Sequence, residues 1–244
     1  MNTLPYGKRS EKDSYFCRRN TMFAELKHIS KRYKRGNRSF EVFDDYNLSV
    51  NEKELLVLSG RSGSGKSTLL ALLGGYLKPD EGSIYFDGAD LSSLKDSDLS
   101  KLHSERIGYL PQSNVMVSEF TILENVMLKS LLSETADSAE SAPLTIVKEK
   151  ALSLLELFGI ESLSDRYPHE LSGGELRRAS LARLFVSDPD LYLIDEPSGG
   201  LDKEATEIVM NYLADRVSEG KTVVVATHDD IVKKYADKIV EIQK

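Results

Sequence analysis

The sequence has no tryptophan, one cysteine (Cys17) and no long apolar run. A single cysteine excludes an intrachain disulfide framework and is compatible with a reducing compartment. The longest apolar runs, such as LLALL and TVVVA, fall well short of the about 18 residues that a membrane-spanning helix needs. The formal net charge of −7 gives no basic excess, which argues against a nucleic-acid partner. Any membrane role would have to go through another protein.

What remains is an ordinary globular composition. The chain has 244 residues, of which 40% are hydrophobic and 29% charged, enough for one large α/β domain or two small ones. Residues 1–22 carry basic side chains without an apolar centre, which favours a flexible head over a secretory signal. Either Met1 or Met22 could be the natural start. We expect the folded domain to cover 23–244.

Hydrophobic patterning predicts an α/β fold. The stretches FAELKHISKRY and SFEVFDDYNLSV, separated by Gly36 and Asn37, predict antiparallel strands. The apolar runs ELLVLSG, DLYLIDEP and TVVVATH are typical of buried parallel strands, and a helix over about 203–218 lies between the last two. From about 91 to 184 the pattern is mostly helical, with IGYLP as a strand and SETADSAESAP as an exposed loop. The prediction is a mainly parallel core sheet with an antiparallel β subdomain and an α-helical subdomain.

The segment GRSGSGKS matches the phosphate-loop pattern G-x-x-x-x-G-K-[ST] between a predicted strand and a predicted helix. Glycines let backbone amides turn toward phosphate oxygens, and the helix N-terminus adds partial positive charge. Lys66 would reach the β- and γ-phosphates and the Ser67 hydroxyl would bind Mg²⁺. A chance glycine-rich turn is the alternative, which the strand and helix context disfavours. The predicted binding residues are Gly60, Arg61, Ser62, Gly63, Ser64, Gly65, Lys66, Ser67 and Thr68.

Polar side chains follow three of the predicted strands. Asp195 ends LYLID and would order the Mg²⁺ shell, and Glu196 next to it could act as general base on water. His228 follows VVVAT and could contact the γ-phosphate, and Gln112 follows IGYLP and could complete the Mg²⁺ and water shell. Each could instead be a solvated strand end or a loop hydrogen bond. The phosphate loop favours the functional interpretation.

An aromatic side chain could hold the base of a nucleotide. Tyr33 lies at the end of a strand-like stretch before the phosphate loop, and Phe40 is the other candidate. Ordinary packing in the β layer is the alternative for both.

The segment LSGGE fits the start of a helix. Ser172 and Glu175 have the spacing of a capping box. With Gly173 and Gly174, Ser172 also offers a hydroxyl and unobstructed amides at a helix N-terminus, which is an anion site. The two uses are compatible.

In the order phosphate loop, Gln112, LSGGE, LYLIDE, SGGLD and His228, the motifs resemble the nucleotide-binding subunit of ATP-binding-cassette (ABC) transporters over nearly the whole chain from about Phe23. The resemblance implies an ATPase with the ABC ATPase fold that uses ATP and Mg²⁺. It implies these roles: Tyr33 stacks on adenine, Gln112 and Asp195 serve the metal, Glu196 is the catalytic base, Asp202 crosses to the opposite subunit, and His228 meets the γ-phosphate. Ser172, Gly173 and Gly174 would cover the ATP of a second subunit, so the active unit would be a homodimer or cassette pair.

A narrower resemblance concerns LSSLKDSDLSKLHSERIGYLPQS and EFTILENVML. These are similar to the subgroup that serves lipoprotein release, macrolide and antimicrobial-peptide export, and bacterial cell division. It implies a transmembrane permease partner, a peripheral position on the cytoplasmic face of the membrane, and contact with the permease near 115–124. The sequence departs from the subgroup at Gly200, where Asn or Ala is common. It also departs at Leu176 and Arg177, where glutamines are usual.

Three functions remain open. The first is an ATPase subunit that energises a permease, by export or by lipoprotein or peptide extrusion. The second is a membrane-complex ATPase that regulates a cell-envelope or cell-division process without transport. The third is a soluble ABC ATPase acting on nucleic acid or ribosomes. A single cassette without sustained heptads between Thr68 and Leu171 favours a membrane partner.

Overall fold

A computed structural model describes residues 22–36, 38–133 and 143–243. The predicted flexible head (1–22) and the predicted exposed loop (133–143) lie almost entirely outside these residues. The strands are β1 Met22–Arg35, β2 Arg38–Asn51, β3 Leu55–Ser59, β4 Glu81–Phe86, β5 Ala89–Asp90, β6 Ile107–Leu110, β7 Leu191–Asp195, β8 Thr222–Thr227 and β9 Lys238–Glu241. The α-helices are α1 Lys66–Leu73, α2 Asp96–Glu105, α3 Ile122–Ser133, α4 Leu144–Leu157, α5 Gly173–Val186, α6 Lys203–Ser218 and α7 Asp230–Lys233.

A parallel sheet with the order β6-β7-β8-β3-β9 forms the centre of the molecule. Its strands are apolar on both faces because each face packs against a separate core. In β3, Leu55 and Val57 belong to the core on the helical side. Leu56 and Leu58 belong to the core on the other side, with α1 and the second sheet. The predicted parallel core is confirmed.

An antiparallel sheet with the order β2-β1-β4-β5 covers the second core. The long hairpin of β1 and β2 turns around position 36, as the two alternating segments predict, and its register pairs Tyr33 with Phe40 close to that turn. The register slips at several points along β1, and such irregularities let a long strand bend over a core. The predicted β subdomain is confirmed.

Helices α3, α4 and α5 pack on one another beside the parallel sheet. Within the mostly helical stretch 91–184, β6 pairs with β7 in the parallel sheet, so this strand connects the helical layer to the core. Helix α6 has the predicted limits of 203–218. Among the described residues, no helix is long and apolar enough to cross a membrane.

The register of the parallel sheet sets the place of the site. Ser59 at the end of β3 pairs with Thr227 at the end of β8, and Asp195 at the end of β7 pairs with Ala226. The carboxyl ends of three neighbouring strands are therefore level within one residue. Loops that follow such ends meet in one crevice, where α/β proteins bind ligands.

Candidate functional site

A cavity of about 650 Å³ lies at these strand ends. It brings together most of the residues predicted from sequence. Its lining residues are Tyr33, Phe40, Val42, Arg61, Ser62, Gly63, Gly65, Lys66, Ser67, Thr68, Gln112, Asp195, Glu196 and His228. Six predicted residues are not part of this lining: Gly60, Ser64, Ser172, Gly173, Gly174 and Asp202.

The phosphate loop reaches the cavity through a left-handed residue. Gly65 has φ +103° and directly precedes α1, which begins at Lys66. A Cβ atom at Gly65 would lie only 2.5 Å from the Phe43 ring and 2.8 Å from a Val42 methyl. Only glycine satisfies both the backbone conformation and the close approach. The loop thereby presents the N-terminal end of α1 to the cavity, an arrangement that favours a bound anion.

Lys66 places a buried positive charge at that end. Its side chain is 7% exposed, and its ammonium donates to the carbonyl oxygens of Gly60 at 2.8 Å and Arg61 at 3.2 Å. A buried ammonium needs such acceptors. The loop carbonyls hold the charge beside the cavity, where phosphate oxygens could take their place as acceptors.

Three oxygen donors suited to a hard cation line the same cavity: the Ser67 hydroxyl, the Gln112 amide and the Asp195 carboxylate. Asp195 is 3% exposed, and this burial raises the pKa of its carboxyl. A hydrogen bond from Ser67 lowers the same pKa, but by less. No group of three or more His, Cys, Asp or Glu side chains within the described residues could hold a metal alone. One carboxylate with few other protein oxygens is the set expected for Mg²⁺ carried by nucleotide phosphates.

Glu196 lines the cavity and is held by Thr227, the last residue of β8, and by His228, which follows it. One carboxylate oxygen lies 2.9 Å from His228 Nδ1, and the other accepts from the Thr227 hydroxyl at 2.9 Å. Glu196 has φ +52°, so the chain leaves β7 with a turn, and the adjacent side chains of Asp195 and Glu196 both line the cavity. The sequence did not single out Thr227, although a hydroxyl directly before the strand-end histidine was its available signal.

The two aromatic candidates lie on the same wall. The rings of Tyr33 and Phe40 are stacked, with centroids 5.9 Å apart and planes 23° apart. The Tyr33 hydroxyl lies 3.4 Å from the Thr68 hydroxyl of the phosphate loop. Base-sized aromatic faces are thus next to the anion end of the cavity.

The LSGGE segment starts α5 with the predicted capping box. The Ser172 hydroxyl caps the amide of Glu175, and the Glu175 carboxylate accepts from the Ser172 amide at 2.8 Å and hydroxyl at 2.6 Å. These bonds lower the pKa of the Glu175 carboxyl. Ser172 and Gly173 are exposed and outside the 650 Å³ cavity. The N-terminal end of α5 is therefore accessible to another molecule.

Asp202 lies at the start of α6. Its carboxylate caps that helix by accepting from the Ala205 amide at 2.8 Å, and the residue is exposed. The preceding SGGLD loop approaches the LSGGE segment: the Gly200 carbonyl oxygen lies 2.7 Å from the position that a Cβ atom at Gly174 would occupy. The two loops predicted to reach a second subunit thus lie side by side.

A second cavity of about 320 Å³ lies between β6, α3 and α5. Its lining includes Val115, Lys129 and Arg183, and burial lowers the pKa of Lys129 to about 8, with the charge of Arg183 contributing in the same direction. Next to it, the fully buried Asn125 bonds the backbone of Val117, Phe120 and Thr121. The partly exposed segment 115–124 is therefore held in a fixed conformation.

Comparison with known proteins places this site in context. A family model described as ABC transporter matches residues 43–199. The lipoprotein-releasing system ATP-binding protein LolD of Blochmanniella floridana is 38% identical over 213 residues, covering 87% of this chain and 88% of that protein. The putative hemin import ATP-binding protein HrtA of Staphylococcus haemolyticus is 39% identical over 223 residues, covering 91% and 97%.

A solved structure has the same fold. It is the ATP-binding cassette MJ0796 of Methanocaldococcus jannaschii, in a dimeric post-hydrolysis state bound to ADP and Pi. Its TM-score is 0.83 with 32% identity, and the match covers 90% of this chain and 94% of that one.

Proposed function

We propose that this chain hydrolyses Mg-ATP between two copies and so drives a transmembrane permease. The chain belongs to the ABC transporter family and is an ATP-binding, ATP-hydrolysing subunit of that family. The observation that carries the proposal is the position of Glu196. Its carboxylate is fixed by Thr227 and His228 in the wall of the cavity that the phosphate loop also lines.

ATP would enter with its base against the Tyr33 and Phe40 rings and its phosphates at the start of α1. The loop amides and Lys66 then neutralise the phosphate charge. The oxygens of Ser67, Asp195 and Gln112 would hold Mg²⁺, which when bound supplies charge neutralisation at the β- and γ-phosphates. The burial of Asp195 and its hydrogen bond from Ser67 support this assignment.

Hydrolysis requires a water to lose a proton as it attacks the γ-phosphorus. Glu196 is the carboxylate at the cavity whose side chain remains partly accessible, with 14% exposure, and it would accept that proton. The Thr227 hydroxyl fixes one of its oxygens and His228 Nδ1 lies 2.9 Å from the other, while the His228 side chain, 78% exposed, would also contact the γ-phosphate. Together they orient the base.

The site needs a second copy to be complete. Ser172 and Gly173 are exposed and lie outside the cavity of their own chain, and they would cap the γ-phosphate held by a partner copy. A head-to-tail pair with twofold symmetry provides two such sites. ATP bound at the interface stabilises the pair, and loss of the γ-phosphate loosens it. The dimeric relative with ADP and Pi supports this arrangement.

The permease would contact the face that carries 115–124 and the 320 Å³ cavity, and the subunit would then lie at the cytoplasmic face of the membrane. The names of LolD and HrtA, one a lipoprotein-releasing and one a putative import component, both support a membrane transport system. From the subgroup resemblance we propose export or lipoprotein or peptide extrusion.

The test is Glu196→Gln, which keeps the size of the side chain and removes its basicity. We expect ATP binding to persist, hydrolysis to fall by about 10²–10⁴-fold, and a dimer to accumulate in Mg-ATP. Phosphate release and light scattering measure both effects. Glu105→Gln, which changes an exposed carboxylate on α2, is the matched control and should behave as wild type. Brisk hydrolysis by Glu196→Gln would contradict the proposal.

A further inference from the structure

Arg177 is among the largest fully buried side chains of the described residues, with 2% exposure, although it lies near the start of α5, two residues after the LSGGE segment. A buried guanidinium is costly unless acceptors surround it. Burial accordingly lowers the pKa of Arg177, and the charges of Asp195 and Glu196 act in the opposite direction.

The acceptors of Arg177 are backbone oxygens of the site. Its Nη2 donates to the carbonyl oxygen of Asp195 and, at 2.8 Å, to that of Glu196. These are the two peptides on either side of the left-handed residue that turns the chain out of β7. The position of the Glu196 side chain depends on that turn, and the hydrogen bonds from Arg177 stabilise the turn.

The other nitrogen of the fork reaches the loop after β6. Arg177 Nη1 donates to the carbonyl oxygen of Pro111 at 2.9 Å and to the Asn114 amide oxygen at 3.3 Å. Gln112, which lines the cavity, lies between these two residues. The Asn114 amide nitrogen in turn lies 3.5 Å from the carbonyl oxygen of Gly173 at the start of α5. One guanidinium thus joins the end of β7, the Gln112 loop and the LSGGE helix.

The planar fork is what makes this connection possible. Arginine has five donors in a fixed planar geometry and can bond two separate backbone segments at once, whereas glutamine has two donors and lysine a compact ammonium without the fork. The buried Nε has no partner among the described atoms. This side chain therefore carries a desolvation cost that a purely packing role would not require.

We propose that Arg177 is a positioning residue for ATP hydrolysis: it locks the Glu196 peptide to the Gln112 loop and to the LSGGE helix, so that the base is correctly placed only when these three segments are aligned. Arg177 touches neither nucleotide nor water in this scheme and acts through Glu196. The inference rests on the ATPase function proposed above.

The main test compares Arg177→Gln, which loses charge and fork, with Arg177→Lys, which keeps the charge alone. Hydrolysis is measured in Mg-ATP and divided by the number of nucleotide-binding sites from titration with a fluorescent ATP analogue. Loss of positioning should lower kcat per site by about 10- to 100-fold while KM and analogue affinity change less than about twofold. Arg177→Lys should recover only part of the rate.

Asn114→Ala tests the loop connection and keeps the buried cation, because Arg177 Nη1 retains the Pro111 carbonyl oxygen as an acceptor and Asn114 itself is only partly buried. Loss of the two hydrogen bonds of the Asn114 side chain, from Arg177 and to Gly173, should lower kcat per site by about 2- to 10-fold. The control Arg216→Gln removes a partly buried guanidinium from α6 that pairs with Glu219, and its kcat per site should match wild type.

The outcomes separate the two hypotheses. A wild-type chain without ATPase activity would contradict the proposed function. An active wild type together with unchanged kcat per site in Arg177→Gln, or in Asn114→Ala if Arg177→Gln does not fold, would overturn the positioning role alone. A rise in KM with unchanged kcat would do the same, because it would place the effect on nucleotide binding.

Discussion

The carbonyl oxygen of Gly200 lies 2.7 Å from the position that a Cβ atom at Gly174 would occupy. Gly200 itself has φ +76°, a backbone conformation that residues other than glycine and asparagine rarely adopt. The LSGGE and SGGLD segments therefore meet backbone to backbone. Gly173, one residue earlier, has nothing within 4 Å of its own Cβ position.

The two neighbouring glycines should respond differently to one methyl group. Gly174→Ala must push the Gly200 peptide away, and we expect a loss of about 1–3 kcal/mol in the free energy of unfolding. Gly173→Ala should be neutral or slightly stabilising. Urea denaturation followed by circular dichroism measures both. Equal stability of the two variants would contradict the close contact.

Gly173→Ala also isolates the role of the LSGGE amides. Because its methyl meets nothing within the monomer, any loss of the Mg-ATP-dependent dimer must arise outside it. We expect that dimer to weaken while single-chain nucleotide binding is retained, as followed by light scattering and calorimetry. A dimer of full strength would argue against a phosphate contact at this residue.

Lys66→Ala should weaken the binding of Mg-ATP itself. The charged hydrogen bonds now made to the Gly60 and Arg61 carbonyls would be made to phosphate, and their loss should reduce affinity by about 10- to 100-fold. Calorimetry with a non-hydrolysable analogue measures this, with the exposed Lys78→Ala as control. Unchanged affinity would contradict the phosphate-loop assignment.

Lys129 should make stability depend on pH in the alkaline range. Its pKa is about 8 in the folded protein against an ordinary value of 10.5. Between these values the unfolded chain binds more protons than the folded one, so stability rises as pH increases from about 8 to about 10.5.

Lys129→Met removes this dependence. The variant should exceed wild type by up to about 3 kcal/mol in the free energy of unfolding below pH 8, and the difference should vanish toward pH 10.5. Urea titrations at several pH values measure it, with the exposed Lys101→Met as control. A pH-independent difference would show that the buried charge is not its cause.

Features that depend on neighbouring residues could be predicted from the sequence. The phosphate loop needs only a strand, glycines and a helix in succession, the LSGGE capping box needs two residues three apart, and the limits of α6 follow from its periodicity. Strands with apolar residues on both faces were sufficient to indicate the parallel core.

What could not be predicted depends on residues that are distant in the chain. Arg177 stood out only as a departure from the usual family pattern, because its burial depends on strand β7 and on the loop after β6, 18 and 66 residues away. The same holds for the Thr227 bond to Glu196 and for the contact of Gly174 with Gly200. The extent of the helical subdomain, 91–184, and the roles of the site residues stay predictions.

The level strand ends have a consequence for how this protein could vary in evolution. Asp195 pairs with Ala226 and Ser59 pairs with Thr227. The distance between Glu196 and the phosphate loop is therefore set by the number of residues in these strands. One residue deleted from β7 or β8 would turn every side chain beyond it to the opposite face. The connections between the strands can therefore change in length, whereas the lengths of β7 and β8 must stay constant.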